Sequence, residues 1–153
     1  MEQLDNKHIY GMFFKDNRKI DNMLKDIMFI SSFSVYLNIV MYSIIYKNNK
    51  YDANKVLQML GIYNYRKKIV KNCSLEIKEK LVIAIRILKG SKYVMLKEPI
   101  NHLDEQGSIE IRNVIKEIHY KYKLPIVICS SNMKEINFIC DKLIDKNELN
   151  IQK

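Results

Sequence analysis

The stretch KYVMLKEPINHLD, residues 92–104, carries the clearest fold pattern in this chain. Its residues Tyr93–Leu96 form a short apolar run with aromatic and β-branched members, which predicts a buried strand. A polar, turn-forming segment that begins with Glu98 and Pro99 follows directly. Because open α/β sheets place reactive side chains at the carboxyl ends of their strands, the stretch predicts a candidate site at Glu98.

Helix and strand patterns continue on both sides of this strand. Upstream, Ser74 can cap a helix that Gly90 ends. Downstream, the spacing of apolar residues predicts a helix over Ser108–Tyr122, a buried strand over Leu124–Cys129 and a helix over Met133–Cys140. This alternation predicts βαβ units and an α/β fold with a parallel sheet.

The amino-terminal half gives weaker patterns. Residues 8–14 predict a strand with a bend at Gly11, and residues 16–19 predict a turn. A helix is predicted over Asp52–Leu60, with Asp52 as its N-cap and Gly61 after its end. Two edge-like strands are predicted near the carboxyl terminus, at residues 143–144 and 149–151.

The uncharged run of residues 27–46 has two interpretations. As one helix it is long enough to cross a bilayer, and lysines flank it. Alternatively, its serines and Asn38 divide it into a strand (Ile27–Ser31), a loop (Ser32–Val35) and a helix (Tyr36–Tyr46). The first interpretation predicts a small membrane-anchored protein, and the second a globular domain.

The composition predicts one ordered globular domain that does not bind nucleic acid specifically. The net charge is +9, but lysine supplies most of it, together with abundant Ile, Asn and Tyr, as in AT-rich genomes. Arginine, the better residue for bidentate phosphate contacts, is scarce. Cys73, Cys129 and Cys140 show no CxxC spacing, which predicts three reduced thiols and neither a disulfide framework nor a zinc site.

Three blocks of sequence resemble the ATPases of ATP-binding cassette (ABC) transporters. Residues 96–104 resemble the Walker B motif and D-loop, with the common form hhhhDEPTNGLD. Residues 73–84 resemble the signature motif in the form YSLGMKQRLGIA. This form of the motif is the one found in the ATPases of bacitracin and lantibiotic-immunity exporters. Residues 126–141 resemble the segment that carries the switch His. The matching residues of the first two blocks are Leu96, Glu98, Pro99, Asn101, Leu103 and Asp104, and Ser74, Leu75, Lys78, Leu81, Ile83 and Ala84.

The resemblance implies a partial P-loop NTPase-like parallel sheet with flanking helices and an inserted helical subdomain. Residues 1–153 would form a single incomplete ABC ATPase-like domain, with the helical subdomain at about 33–90 and the Walker B to switch-region core at about 91–153. Residues 8–14 would match the hairpin that follows the nucleotide-binding loop. The chain is therefore expected to begin after its P-loop and to lack the central strand that carries it.

The resemblance also assigns roles to four residues. Glu98 matches the catalytic base, and Ser74, Asp104 and Asn132 occupy nucleotide-binding positions. Three of them also have a structural interpretation. Glu98 can form an ion pair with Lys97, Ser74 can be the N-cap of a helix, and Asp104 can form a turn. Asn132, at the position of the switch His, can form hydrogen bonds but cannot carry the charge of a His.

Several functional positions of these ATPases are altered. None of the four glycines belongs to a GxxxxGK[ST] motif, which cradles phosphates with backbone amides. Lys97 replaces the Walker B Asp, Glu76 the second signature Gly, and Ser32 the Q-loop Gln. No metal ligand is predicted, because Mg²⁺ prefers carboxylate and phosphate oxygens to an ammonium group.

The resemblance thus implies ATP and Mg²⁺ as cofactors. The altered positions, however, predict no ATP hydrolysis by this chain alone. They also leave open that the chain binds neither ATP nor Mg²⁺. The implied partners are a membrane permease and a second ABC ATPase, in a homodimer or heterodimer. The implied location is cytoplasmic, peripheral on the inner face of the cell membrane. The alternatives are a non-catalytic interaction or regulatory scaffold and the membrane-anchored protein.

Overall fold

The computed structural model describes residues 4–47 and 50–146. Within these ranges four parallel strands form one sheet, in the order β2-β3-β1-β4. The predicted α/β class with a parallel sheet is confirmed, and the predicted strand at residues 149–151 lies outside the described residues. The strands are β1 (Tyr10–Phe13), β2 (Val94–Lys97), β3 (Ile126–Ser130) and β4 (Lys142–Ile144).

Strand β1 lies inside the sheet, between β3 and β4. Gly11 pairs with Ile128 on one side and with Leu143 on the other. The expected gap at the centre of the sheet is therefore not present. The expected match of residues 8–14 to a hairpin is wrong as well, because both neighbours of β1 are parallel to it.

Six α-helices in the described ranges surround this sheet. Short polar side chains cap several of them, as the sequence predicts for Asp52 and Ser74. Gly61 and Gly90 have positive φ just beyond helix ends, where a side chain would be strained. The helices are α1 (Asn17–Met23), α2 (Val35–Tyr46), α3 (Ala53–Met59), α4 (Leu75–Leu88), α5 (Glu105–Tyr122) and α6 (Met133–Ile139).

The structure corrects two local predictions. Residues 16–19 do not form a free turn, because Asp16 caps α1 through the backbone N–H of Arg18. Residues 27–31 do not form a strand. The buried amide of Asn38 fixes this segment instead: it accepts from the N–H of Ile30 at 2.9 Å and donates to the Ile30 carbonyl at 3.1 Å.

The run 27–46 is divided, as the second interpretation predicts, into an irregular segment and the 12-residue helix α2. At 1.5 Å per residue, such a helix is about 18 Å long, well short of the roughly 30 Å apolar layer of a bilayer. Among the residues that the structure describes, no helix is both long and apolar enough to span a membrane.

Alternate residues of the strands point to opposite sides of the sheet, and each side has its own core. Ile126 and Ile128 of β3 pack into the larger cluster, with α2, α3, α4 and α5. Val127 and Cys129 pack into the smaller one, with α1. The three cysteines are free thiols, and burial raises the pKa of Cys129 and of Cys140 to about 12, so neither is a reactive thiolate.

Candidate functional site

The candidate site lies at the carboxyl ends of β1, β2 and β3. The chain leaves β1 towards β2 at one edge of the sheet, and it leaves β3 towards β4 at the other edge. In open α/β sheets, a crevice forms where the connections diverge in this way. The side chains that follow these strands are therefore the ones to examine.

Glu98, the predicted catalytic base, directly follows β2. Its Oε1 accepts a hydrogen bond from the hydroxyl of Ser131 at 2.8 Å and a longer one from the Ser131 N–H at 3.4 Å. Its φ is 42°, in the left-handed region, which costs a residue with a Cβ about 1–2 kcal/mol. Glu98 is thus held against the end of β3, next to Asn132.

Lys97, the last residue of β2, is bound to carboxylates and does not pair with Glu98. Its ammonium lies 2.5 Å from Oδ1 of Asp21 on α1 and 2.9 Å from Oδ1 of Asp26. Burial lowers the pKa of Lys97, but these two ion pairs outweigh that effect and leave it raised. The predicted Lys97–Glu98 ion pair is absent from the contacts of the described residues.

A charged cavity of about 360 Å³ opens beside Lys97 and Glu98, between α4 and the turn after β2. Glu79 and Arg86 of α4 line it. The guanidinium of Arg86 is buried and donates through Nη2 to the Lys25 carbonyl at 2.5 Å, while its Nε has no partner among the described residues. Arg86 and Lys97 thus hold the segment after α1 from two directions.

Two carboxyl groups near this cavity have raised pKa values. Burial, and then the charge of Glu135, raise the pKa of Glu79 to about 8, although Arg86 opposes the shift. Burial also raises the pKa of Glu135, which accepts hydrogen bonds from the Ser130 hydroxyl at 2.5 Å and the Ile100 N–H at 2.8 Å. Glu79 is therefore largely protonated at neutral pH.

The three predicted nucleotide-binding residues all cap helices. Ser74 accepts from the N–H of Ile77 at 3.4 Å, Asp104 from that of Gly107 at 2.7 Å, and Asn132 from that of Lys134 at 2.9 Å. These bonds satisfy amides that a helix start leaves free. Their structural interpretation is therefore sufficient to explain all three residues.

Glu76, at the altered signature position, packs its side chain against the start of α5. A Cβ on Gly107 would lie 2.7 Å from the Glu76 carboxylate, so the side chain of Glu76 covers the start of α5. A carboxylate is favourable beside the amino-terminal end of a helix. A side chain at position 107 would displace the Glu76 carboxylate from this place.

The residues that follow β1 do not fit a phosphate group. The loop Phe14–Asp16 has no glycine, the N–H of Phe14 donates to the Ser130 carbonyl at 2.9 Å, and the Asp16 carboxylate binds the N–H and the guanidinium of Arg18. Mg²⁺ does not fit either, because an ammonium group lies between Asp21 and Asp26. Among the described residues no group of three or more His, Cys, Asp or Glu side chains is suited to a metal ion.

The sequence interpretation missed one polar and five charged residues of this site, which are Ser131 and Asp21, Asp26, Glu79, Arg86 and Glu135. One signal was available: Glu79 and Arg86 are oppositely charged residues seven apart on α4, which places them on one face of the helix. The aspartates gave no such signal, because their partner Lys97 is more than seventy residues away in the chain.

Comparisons with known proteins agree with the resemblance. The chain is 27% identical, over 139 residues, to the bacitracin transport ATP-binding protein BcrA of Enterococcus faecalis, covering 87% of this chain and 45% of that protein. It is 28% identical, over 127 residues, to the lantibiotic transport ATP-binding protein SrtF of Streptococcus pyogenes, covering 83% and 55%. No protein-family model matches the chain.

A solved structure agrees in fold. A chain from an inward-facing metal-chelate type ABC transporter superposes with a TM-score of 0.75 at 15% identity, covering 95% of this chain and 71% of that chain. At that identity, the likeness shows the fold alone. This chain spans about half the length of the two curated relatives.

Proposed function

We propose that this chain, a relative of the ATP-binding proteins of ABC transporters, is a subunit of the nucleotide-binding type. It would dock on an exporter permease without hydrolysing ATP itself. It would act at the inner face of the cell membrane, in a transporter of the bacitracin and lantibiotic kind. Residues of about 33–90 would form its helical subdomain, and the sheet with its flanking helices the core.

One observation carries the proposed lack of hydrolysis. The ammonium of Lys97 lies between two carboxylates immediately beside Glu98, the residue that matches the catalytic base. A metal-bound nucleotide needs oxygen ligands that are free to bind the metal. Ser131 also occupies Oε1 of Glu98, which reduces the capacity of that oxygen to accept a proton from water.

We expect the purified chain to show no saturable binding of a fluorescent ATP analogue with Mg²⁺ up to millimolar concentration. Its ATP turnover should equal that of Glu98→Ala, because no phosphate cradle follows β1 and no metal site lies beside Glu98. Titration and steady-state phosphate release measure the two quantities. Saturable micromolar binding would contradict the first expectation, and turnover above that of the Glu98→Ala variant would contradict the second.

An apolar surface around α2 supports the proposed docking. Leu37 is 49% exposed, Ile44 71% and Ile45 58%, and several neighbouring apolar side chains are also exposed: Met28, Ile30, Phe33 and Tyr36. Contiguous exposed apolar residues mark sites of protein or membrane contact. We call these seven residues the α2 surface, and we propose that a permease covers it.

We expect Leu37→Glu and Ile44→Glu to release the chain from membranes that contain its permease. A charge inside an apolar interface typically costs more than tenfold in affinity, about 1.4 kcal/mol or more. Membrane sedimentation at neutral pH measures the bound fraction, and Leu143→Glu, at an exposed leucine away from α2, is the matched control. Equal retention of all three variants would contradict the docking surface.

A scaffold that pairs with an intact ABC ATPase is the second candidate function. The capping roles of Ser74, Asp104 and Asn132 favour it, because each residue is explained without a nucleotide. Co-purification separates the candidates. A permease partner supports the first, and an intact ATPase that is retained in the absence of permease supports the second.

A further inference from the structure

Lys97 and two aspartates form a charge cluster that joins three parts of the chain. Lys97 ends β2, Asp21 belongs to α1, and Asp26 lies in the irregular segment that follows α1. The Lys97 side chain is 21% exposed, whereas those of Asp21 and Asp26 are 51% and 77% exposed. The cation is thus the inner member of the cluster, and the carboxylates cover it from outside.

The position of the cation is significant because two neighbouring aspartates repel each other. Without a positive charge between them, Asp21 and Asp26 would push α1 and the following segment apart. A divalent cation between carboxylates removes such repulsion in many proteins. Here the ammonium group has the same electrostatic role and is part of the chain.

A second cation holds the same segment. Arg86, which is buried in α4, donates to the carbonyl of Lys25, the residue before Asp26. The segment between α1 and α2 contains no helix or strand until α2 begins, and among the described residues its backbone bonds to residues 69–71 start only at Ser31. These side-chain bonds therefore hold its first part, around Lys25 and Asp26. Lys97 and Arg86 together fix it against the carboxyl edge of the sheet.

We propose that Lys97 is a built-in cation that takes the place of a bound divalent metal, so that this edge of the sheet is held together without Mg²⁺. The inference deepens the proposed function, since the implied Mg²⁺ comes from the relationship to ABC ATPases. It rests otherwise on the Lys97–Asp21–Asp26 geometry. The residues present do not fit a metal ion, and the ammonium group is the reason.

The test uses metal alone, without nucleotide, so that its outcome is separate from that of the ATP titration. The melting temperature of the full chain is measured by circular dichroism with and without millimolar Mg²⁺ or Mn²⁺. We expect no shift for the unmodified chain and no stoichiometric Mn²⁺ binding by electron paramagnetic resonance. A stabilising shift, or one tightly bound Mn²⁺ per chain, would overturn the proposal.

Variants test the charge directly. Lys97→Met should lower the melting temperature by about 4 °C or more, whereas Lys67→Met, at an exposed lysine, should leave it unchanged. Lys97→Asp should be less stable still and should regain stability when millimolar Mn²⁺ is added, because three carboxylates then surround the vacated position. The exchanged pair Asp21→Lys with Lys97→Asp should be more stable than Lys97→Asp alone.

The outcomes that overturn the proposal are equally specific. If Lys97→Met melts like the unmodified chain, the cluster does not hold the edge. If Lys97→Asp folds and gains nothing from Mn²⁺, the position is not equivalent to a metal site. If Lys97→Asp does not fold, the double variant Asp21→Lys with Lys97→Asp is the deciding measurement. Restored folding of the double variant supports the charge cluster, and continued failure to fold contradicts it.

Discussion

Replacing Gly11 with valine is expected to destabilise the chain by about 3 kcal/mol, a large part of the roughly 5–15 kcal/mol that stabilises a typical domain. Gly11 is the second residue of the central strand β1, and α6 packs across it. A Cβ at this position would lie 2.5 Å from Cγ2 of Ile136 and 3.0 Å from Sγ of Cys140. The higher strand propensity of valine, worth up to about 1 kcal/mol, cannot offset that overlap.

Urea unfolding of Gly11→Val, Gly11→Ala and the parent chain measures the effect, and alanine should cost less than valine. Ile136→Ala provides the specific control, because shortening Ile136 removes the nearest atom. The double variant should be more stable than the sum of the two single effects predicts. Phe13→Val is the matched control, because it also introduces valine into β1, but at a partly exposed position. Its effect on the free energy of unfolding should be small.

This prediction also tests the position of β1. An edge strand without a covering helix would accept valine at this position, since β-branched residues suit strands. A Gly11→Val chain as stable as the parent would therefore contradict the placement of β1 between β3 and β4, beneath α6. Additive free energies for Gly11→Val and Ile136→Ala would contradict their contact.

The second large effect is a pH dependence due to Glu79. The pKa of this carboxyl group is about 8 in the folded chain and 4.5 in the reference state. The folded chain holds the proton more tightly, so Glu79 contributes full stability below about pH 4.5. That contribution is lost as the pH rises towards 8. With part of the side chain in solvent, the loss should be about 2–4 kcal/mol, less than the full shift implies.

Burial is the main cause of this pKa shift, and the charged groups that face Glu79 modify it. Glu135 raises its pKa and Arg86 lowers it. Glu98 of the turn after β2 lines the same cavity, as do Asp26 and the ammonium of Lys97. The carboxylates disfavour a further negative charge, whereas the two cations favour it, so burial remains the main cause.

Glu79→Gln should remove most of this dependence, because glutamine resembles the protonated carboxyl group at every pH. The free energy of urea unfolding, measured between about pH 5 and pH 8.5, should fall less for Glu79→Gln than for the parent. Glu135, whose pKa is also raised, leaves a residual slope of the same sign. Glu117→Gln on the exposed face of α5 should keep the parental slope. Parallel curves for the parent and Glu79→Gln would exclude Glu79 as the cause.

The candidate site was only partly predictable. Glu98 was found because a strand pattern precedes it, and the start of α4 follows from the capping signal at Ser74. The cap of α5 at Asp104 was not predicted, because the sequence pattern began that helix at Ser108. The assigned contacts of Ser74 and Asp104 with nucleotide rest on resemblance alone. The structure adds the capping bonds and the contact between Glu98 and Ser131, which joins two strands whose proximity no local pattern encodes.

Local patterns in the sequence are sufficient to predict the α/β class, the parallel strands β2 and β3, and the helices α3 to α6 to within a few residues. Periodicity and caps depend on neighbours in the chain, so they can be read locally. The sequence also shows that the Walker B position is altered, because Lys97 stands there. What Lys97 binds was decided only by the tertiary structure, since its carboxylate partners are about seventy residues away.

The position of β1 inside the sheet, the close packing around Gly11 and the raised pKa of Glu79 follow only from the folded structure. All three depend on contacts between distant segments. Strand order, side-chain overlap and the energy of a buried charge are properties of surroundings assembled by folding. A local pattern in the sequence carries none of that information.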